Sequence, residues 1–219
     1  NSGVIYSGPR GLNEWQAAFR RRPNVTNEIA FGLAQPVVPQ AAPEETEEKI
    51  DNTIWFEEPD GSLTTKKTDA SLFLPLSLPE KYEIELEVRS TKPLSFLMAV
   101  GHDAKNGLRI ETWVDELVVA GGKKKKTFMK LRTIGEKDFS AHLYAFVDQS
   151  THTMQVYSDT GELLGEISIP DDEASDAEGL MFRNGDFDLS IHRLRVNFWD
   201  GTPPKILSGD KSRVELTDG

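Results

Sequence analysis

From residue 52 onward the apolar positions recur at intervals of two, in short runs separated by turn formers, and no stretch carries the 3.6-residue period of a long amphipathic helix. These runs predict strands over Thr53–Glu57, Ser62–Lys66, Ser71–Leu76, Tyr82–Arg89, Leu94–Val100, Leu108–Val114 and Glu116–Val119. They continue over Thr127–Thr133, Ala141–Val147, Thr153–Ser158, Leu163–Ile169, Gly179–Arg183 and Phe187–Trp199. Pro59-Asp60-Gly61, Gly121-Gly122, Asp159-Thr160-Gly161, Asn184-Gly185 and Asp200-Gly201 punctuate them, each a sequence that favours a tight turn. Many short strands without intervening helices predict an all-β, two-sheet antiparallel sandwich of jelly-roll type.

The organising stretch is Lys81–Gly101, KYEIELEVRSTKPLSFLMAVG. In its first half Ile84, Leu86 and Val88 alternate with Glu83, Glu85 and Glu87, so one face enters a core and the other meets solvent or a polar groove. In its second half Leu94–Val100 is apolar at nearly every position, which suits a central strand covered on both sides. The Ser-Thr-Lys-Pro turn between them predicts that the two runs are neighbours in one sheet.

The first fifty residues are patterned differently. Val4–Tyr6 reads as a short strand, and Leu12–Arg22 as a brief helix with Asn13 as N-cap and Trp15, Ala18 and Phe19 on one face, stopped by Pro23. Residues 34–51 combine Pro36, Pro39 and Pro43 with Glu44, Glu45, Glu47 and Glu48, a composition that predicts a mobile surface insertion. The expected organisation is one domain over residues 1–204, followed by a linker and the start of a further segment over 205–219. The unpartnered alternation of Val214–Leu216 before Asp218-Gly219 predicts that the chain is part of a longer polypeptide.

Charge narrows the partners. A formal net charge of −11 repels phosphates over most of the surface, which argues against nucleic acid, and Lys123–Lys126 reads as a solvated hairpin loop. No apolar run reaches the ~20 residues of a membrane-spanning helix, so no membrane insertion is expected. The absence of cysteine excludes disulfides and thiolate metal sites. His102, His152 and His192 show no zinc-ligand spacing, so no metal site and no cofactor are predicted. Calcium is the one ion left open, with Asp103, Asp186, Asp188 and Asp200 as oxygen donors.

Several stretches together resemble a known group. Tyr6–Trp15, YSGPRGLNEW, resembles the opening F-N-G-x-x-L-x-x-W of the 3-keto-disaccharide hydrolase-like (DUF1080) domains, and Trp55–Leu63, WFEEPDGSL, is similar to their W-x-x-x-D-G-x-L. Tyr82–Arg89 resembles their strand F-x-L-x-x-x-[FW]-R, while Ile191–Gly201 resembles the last strand of laminin-G-like jelly rolls, in a pattern associated with planctomycete envelope proteins. The resemblance implies a concanavalin A-like lectin/glucanase sandwich. The group's N-S-G signature is absent from Ser90–His102, so the expected protein is not an enzyme.

Two alternating sets offer binding chemistry. Arg109, Glu111 and Trp113 alternate on Leu108–Val114, opposite Leu108, Ile110 and Val114. His142, Tyr144 and Phe146 alternate on Ala141–Val147, opposite Ala141, Leu143, Ala145 and Val147. Trp113 or Tyr144 would present a ring face to a sugar while Arg109, Glu111 and His142 supply hydrogen bonds. The predicted function is a non-catalytic module, binding carbohydrate or a protein ligand or acting structurally, in a larger bacterial envelope or extracellular protein. The alternative is a glycoside hydrolase-like enzyme, because Glu83, Glu85 and Glu87 resemble the Glu-x-Asp-x-Glu spacing by which some jelly-roll glucanases place carboxylates along one strand.

Overall fold

The computed structural model describes residues 3–9, 15–17, 54–101, 107–122, 127–174 and 178–202. The insertion predicted over 34–51, the lysine run 123–126, His102, Asp103 and the segment 205–219 lie outside them. In chain order the strands are β1 (Val4–Gly8), β2 (Gln16–Ala17), β3 (Phe56–Glu57), β4 (Leu63–Thr65), β5 (Ser71–Pro75), β6 (Lys81–Arg89), β7 (Phe96–Val100) and β8 (Arg109–Trp113). The remainder are β9 (Glu116–Gly121), β10 (Thr127–Thr133), β11 (Ser140–Asp148), β12 (Thr153–Ser158), β13 (Leu163–Ser168), β14 (Gly179–Asn184) and β15 (Leu189–Phe198).

They form two antiparallel sheets. The first runs β13-β12-β11-β6-β15-β4-β3, with β1 also paired to β15, and the second runs β10-β9-β8-β7-β14-β5-β2. The core lies between them. Ile84, Leu86, Val88, Leu143, Ala145 and Val196 enter it from the first sheet, and Leu72, Phe96, Met98, Ile110, Val119 and Phe182 from the second. Thus the predicted all-β two-sheet sandwich is what the chain forms.

Three local expectations are corrected. β6 and β7 are not neighbours: β6 pairs with β11 and β15 in the first sheet, whereas β7 pairs with β8 and β14 in the second. The intervening residues carry the chain across the sandwich. Asp188 fixes that crossing by accepting hydrogen bonds from Ser90 Oγ (3.1 Å), Thr91 N (3.1 Å) and Thr91 Oγ1 (2.7 Å). Within the predicted helix Leu12–Arg22, Gln16 and Ala17 are extended and pair with Phe73 and Leu72 of β5, so tertiary pairing overrides the local helical pattern there. Val114, expected on an apolar face, instead occupies the tip of the β8–β9 turn at φ 52° and is fully exposed.

The continuous apolar character of β7 is explained by its place. All five residues are buried: Phe96, Met98 and Val100 face the main core, while Leu97 and Ala99 join Phe73 and Met181 in a second cluster on the opposite side of the sheet. By contrast β6 alternates because only one of its faces enters the core.

Candidate functional site

The outward face of the first sheet is built by register. Across β6–β11, Glu83 lies opposite Phe146, Glu85 opposite Tyr144 and Glu87 opposite His142. Across β6–β15, the same glutamates lie opposite Asn197, Arg195 and Arg193. Three carboxylates in a column therefore stand between an aromatic column and one made of two arginines and an asparagine.

This column is not a uniformly solvated face. Glu85 is only 4% exposed, and three donors converge on its Oε1: His142 Nε2 at 3.0 Å, Tyr144 Oη at 3.1 Å and Arg193 Nη1 at 3.0 Å. His142 and Arg193 reach it diagonally, from positions opposite Glu87. They are released to do so because Glu87 is gripped along its own strand by Arg89, with Nε at 3.0 Å and Nη2 at 2.7 Å. Among the described residues Oε2 of Glu85 has no hydrogen-bond partner. One oxygen is saturated and the other is left to accept.

Burial pushes the Glu85 carboxyl upward, but the hydrogen bonds from His142 and Arg193, the charge of Arg193 and the bond from Tyr144 outweigh it, so the group titrates below its ordinary value of 4.5. The folded state thus holds the ionised form more tightly than the unfolded chain does. Its stabilising contribution is complete above the unfolded value and disappears as the pH falls from there through the lower folded value. Urea midpoints of the wild type and Glu85→Gln measured between pH 7 and pH 3 should differ by a constant amount at neutral pH and converge on acidification. A gap that widens in acid would overturn this assignment.

An aromatic group flanks the carboxylate. Phe146 packs edge-on against Tyr157 of β12, with ring centroids 5.3 Å apart, and against Trp199 at 5.2 Å. The Trp199 indole N–H donates to Thr202 O at 2.7 Å, which fixes the ring just beyond the end of β15. Tyr144 and His142 are tilted over one another at 5.3 Å.

The second predicted set lies elsewhere. Arg109, Glu111 and Trp113 are on β8 in the second sheet, on its outward side, so the structure does not bring them to His142 and Tyr144. Arg109 is 2% exposed and donates from Nε to Glu111 Oε1 at 2.8 Å and from Nη1 to Gly107 O at 3.3 Å. It acts there as a buried ion-pair partner. Trp113 packs beside Phe128 of β10, with centroids 4.8 Å apart.

Arg193, Phe146's neighbours and Trp199 were missed as site residues. The signal for Arg193 is the spacing Ile191, Leu194, Val196: two residues rather than one separate the first pair of core positions, the mark of the β-bulge that β15 makes between Ile191 and Arg193. Strict alternation from Ile191 would turn Arg193 inward; the bulge turns it out.

The acidic residues considered for calcium are dispersed. Asp188 serves the chain crossing, Asp200 accepts from Thr202 N at 2.7 Å, and Asp186 donates its backbone N–H to Ser95 Oγ at 3.0 Å. Among the described residues no group of three or more His, Asp or Glu side chains could hold a metal ion, and no helix is long and apolar enough to cross a membrane. A cavity at one end of the sandwich, lined by Val100, Leu108, Val147, Gln149, His152 and Ile169, has room for about one water and none for a sugar.

No protein-family model matches the chain, and no curated protein matches it. Solved structures to which the chain is similar in part include the receptor-binding domain of botulinum neurotoxin D, 10% identical over 67% of this chain and 42% of that one, with a TM-score of 0.49. Another is botulinum neurotoxin type C, whose cell entry is described as dependent on two ganglioside molecules, at 12% identity over 65% and 40% of the two chains and a TM-score of 0.48. The binding domain of Paraclostridial Mosquitocidal Protein 1 gives 12% identity, 67% and 42% coverage and a TM-score of 0.47. The chain spans about two fifths of the length of these neighbours. A likeness this distant assigns neither a ligand nor an activity.

Proposed function

We propose that the chain is a non-catalytic binding module whose outward face on the first sheet, centred on Glu85, takes a hydroxyl-rich carbohydrate. The observation that carries the reading is the one-sided saturation of a nearly buried carboxylate: His142, Tyr144 and Arg193 all address Oε1, leaving Oε2 as an acceptor fixed in place. A sugar hydroxyl supplies the missing donor, and the half-buried Trp199 ring, backed by the buried Phe146, offers an apolar surface to the C–H face of a pyranose. On this reading the module is one sandwich domain of a larger extracytoplasmic bacterial protein, with the concanavalin A-like motifs of Trp55–Leu63 and Tyr82–Arg89 in support.

The hydrolase alternative is weaker on chemical grounds. A glycosidase needs a carboxylic acid kept protonated near neutrality, whereas Glu85 is held in its ionised form and Glu87 is engaged by Arg89. A glycan array run with and without calcium tests the proposal. Binding by the wild type that falls at least tenfold in both Tyr144→Ala and Trp199→Ala, with both variants still unfolding cooperatively in urea, would support it. Wild-type binding that both variants retain in full would remove this face from consideration.

A further inference from the structure

The two alternating sets do not merge into one site, and the second set has its own chemistry. On the outward side of the second sheet, Trp113 and Phe128 form a tilted pair with centroids 4.8 Å apart and an interplanar angle of 52°. Phe128 is 54% exposed, although it is a large apolar side chain in mid-strand. Beside it Lys130 Nζ and Glu116 Oε1 form an ion pair of 2.9 Å, with 46% and 35% of the two side chains exposed. Glu116 lies directly opposite Trp113 in the β8–β9 ladder, so the rings and the ion pair share one side of the sheet.

We infer that this Trp113–Phe128–Lys130–Glu116 patch is a second, separate contact surface for neutral saccharide, on the opposite outer face of the sandwich from Glu85. The ion pair presents a donor and an acceptor side by side at 2.9 Å, the arrangement that neighbouring hydroxyls of a pyranose match with one accepting and one donating. The lysine retains N–H groups and the glutamate a second oxygen after pairing with each other. The exposed Phe128 ring and the half-buried Trp113 ring beside it supply the apolar surface on which the ring C–H groups lie. A fixed charge pair in the middle of the patch costs desolvation against a purely apolar partner such as acyl chains, and fits a ligand made of alternating hydroxyl and C–H surface. Two outward faces on opposite sheets are separated by the thickness of the core, about 10 Å between backbones, so one chain holds two glycans without contact between them.

The inference shares with the proposed function only the class of ligand, and the two surfaces are separable by mutation. Isothermal titration of the whole chain with three neutral probes, the hexasaccharides of β1,4-linked glucose, β1,3-linked glucose and β1,4-linked N-acetylglucosamine, reads the number of sites directly. The expected result is two sites per chain for at least one probe, reduced to one in Trp113→Ala and to the other one in Glu85→Gln, with affinity at the disabled site weakened about tenfold or more. Trp113→Phe, which keeps a ring, should retain most of the second-site affinity and separates loss of contact from loss of folding. Wild-type stoichiometry of one that Glu85→Gln abolishes and Trp113→Ala leaves intact would overturn the second site while sparing the first. Binding abolished by Trp113→Ala and untouched by Glu85→Gln would do the reverse, and silence from every probe would sink both.

Discussion

Replacing Gly179 by alanine should lower the unfolding free energy by roughly 2–6 kcal/mol, seen as a drop in urea midpoint without a change in slope. Gly179 opens β14, the strand between β7 and β5 at the middle of the second sheet, and has φ +141°, a conformation that L side chains rarely adopt. A methyl group there would collide with the backbone oxygen of Leu74 and come within 2.7 Å of the Phe73 ring. The oxygen belongs to the neighbouring strand, so relief would require parting β14 from β5. Gly135→Ala is the contrast, because its nearest neighbour would be Asp138 Oδ2 at 3.7 Å, an ordinary contact. Its unfolding free energy should stay within about 0.5 kcal/mol of the wild type. Equal losses at the two glycines would show that the close approach at Gly179 does not limit stability.

Arg109→Ala should cost about 3–5 kcal/mol, because it strips the cation from a carboxylate that remains enclosed. Arg109 is 2% exposed and the Glu111 side chain 13%, so neither charge is well served by solvent. Removing both charges together, as in Arg109→Met with Glu111→Leu, should restore most of the loss, since the desolvated pair is replaced by apolar packing. The double variant separates the cost of an orphaned charge from the worth of the pair itself. A single variant that loses less than about 1 kcal/mol would mean that Glu111 finds solvent once Arg109 is gone.

Much of this architecture was legible because period-two patterning survives wherever one face of a strand enters a core. The alternation of Ile84, Leu86 and Val88 with Glu83, Glu85 and Glu87 gave the correct faces of β6, and His142 and Tyr144 stand on the outward side of β11 as their spacing required. What the pattern omits is which sheet a strand joins. The apolar run of β7 looked like a neighbour of β6 because the turn between them is short, yet Asp188, some ninety-seven residues from Thr91, directs it into the other sheet. For the same reason the pattern does not say which of the two alternating sets shares a surface with Glu85: Arg109 stands on the second sheet and Tyr144 on the first. Glu85 illustrates a second limit. Its spacing left solvent and a polar groove both open, and the diagonal approach of His142 and Arg193 from adjacent strands is what encloses it.

The position of β15 has a consequence in time. This strand, the last of the described sandwich, pairs with β6, with β4 and with β1, and so closes the first sheet around residues made long before it. During synthesis β6 can gain β11 on one side early, but its other edge stays open until Leu189–Phe198 leaves the ribosome. Loop closure over more than a hundred residues is slow, and pairings this distant in sequence delay folding. Until then the open edge of β6 carries Glu83, Glu85 and Glu87 in a row, charges of one sign that disfavour pairing with the same edge of another copy.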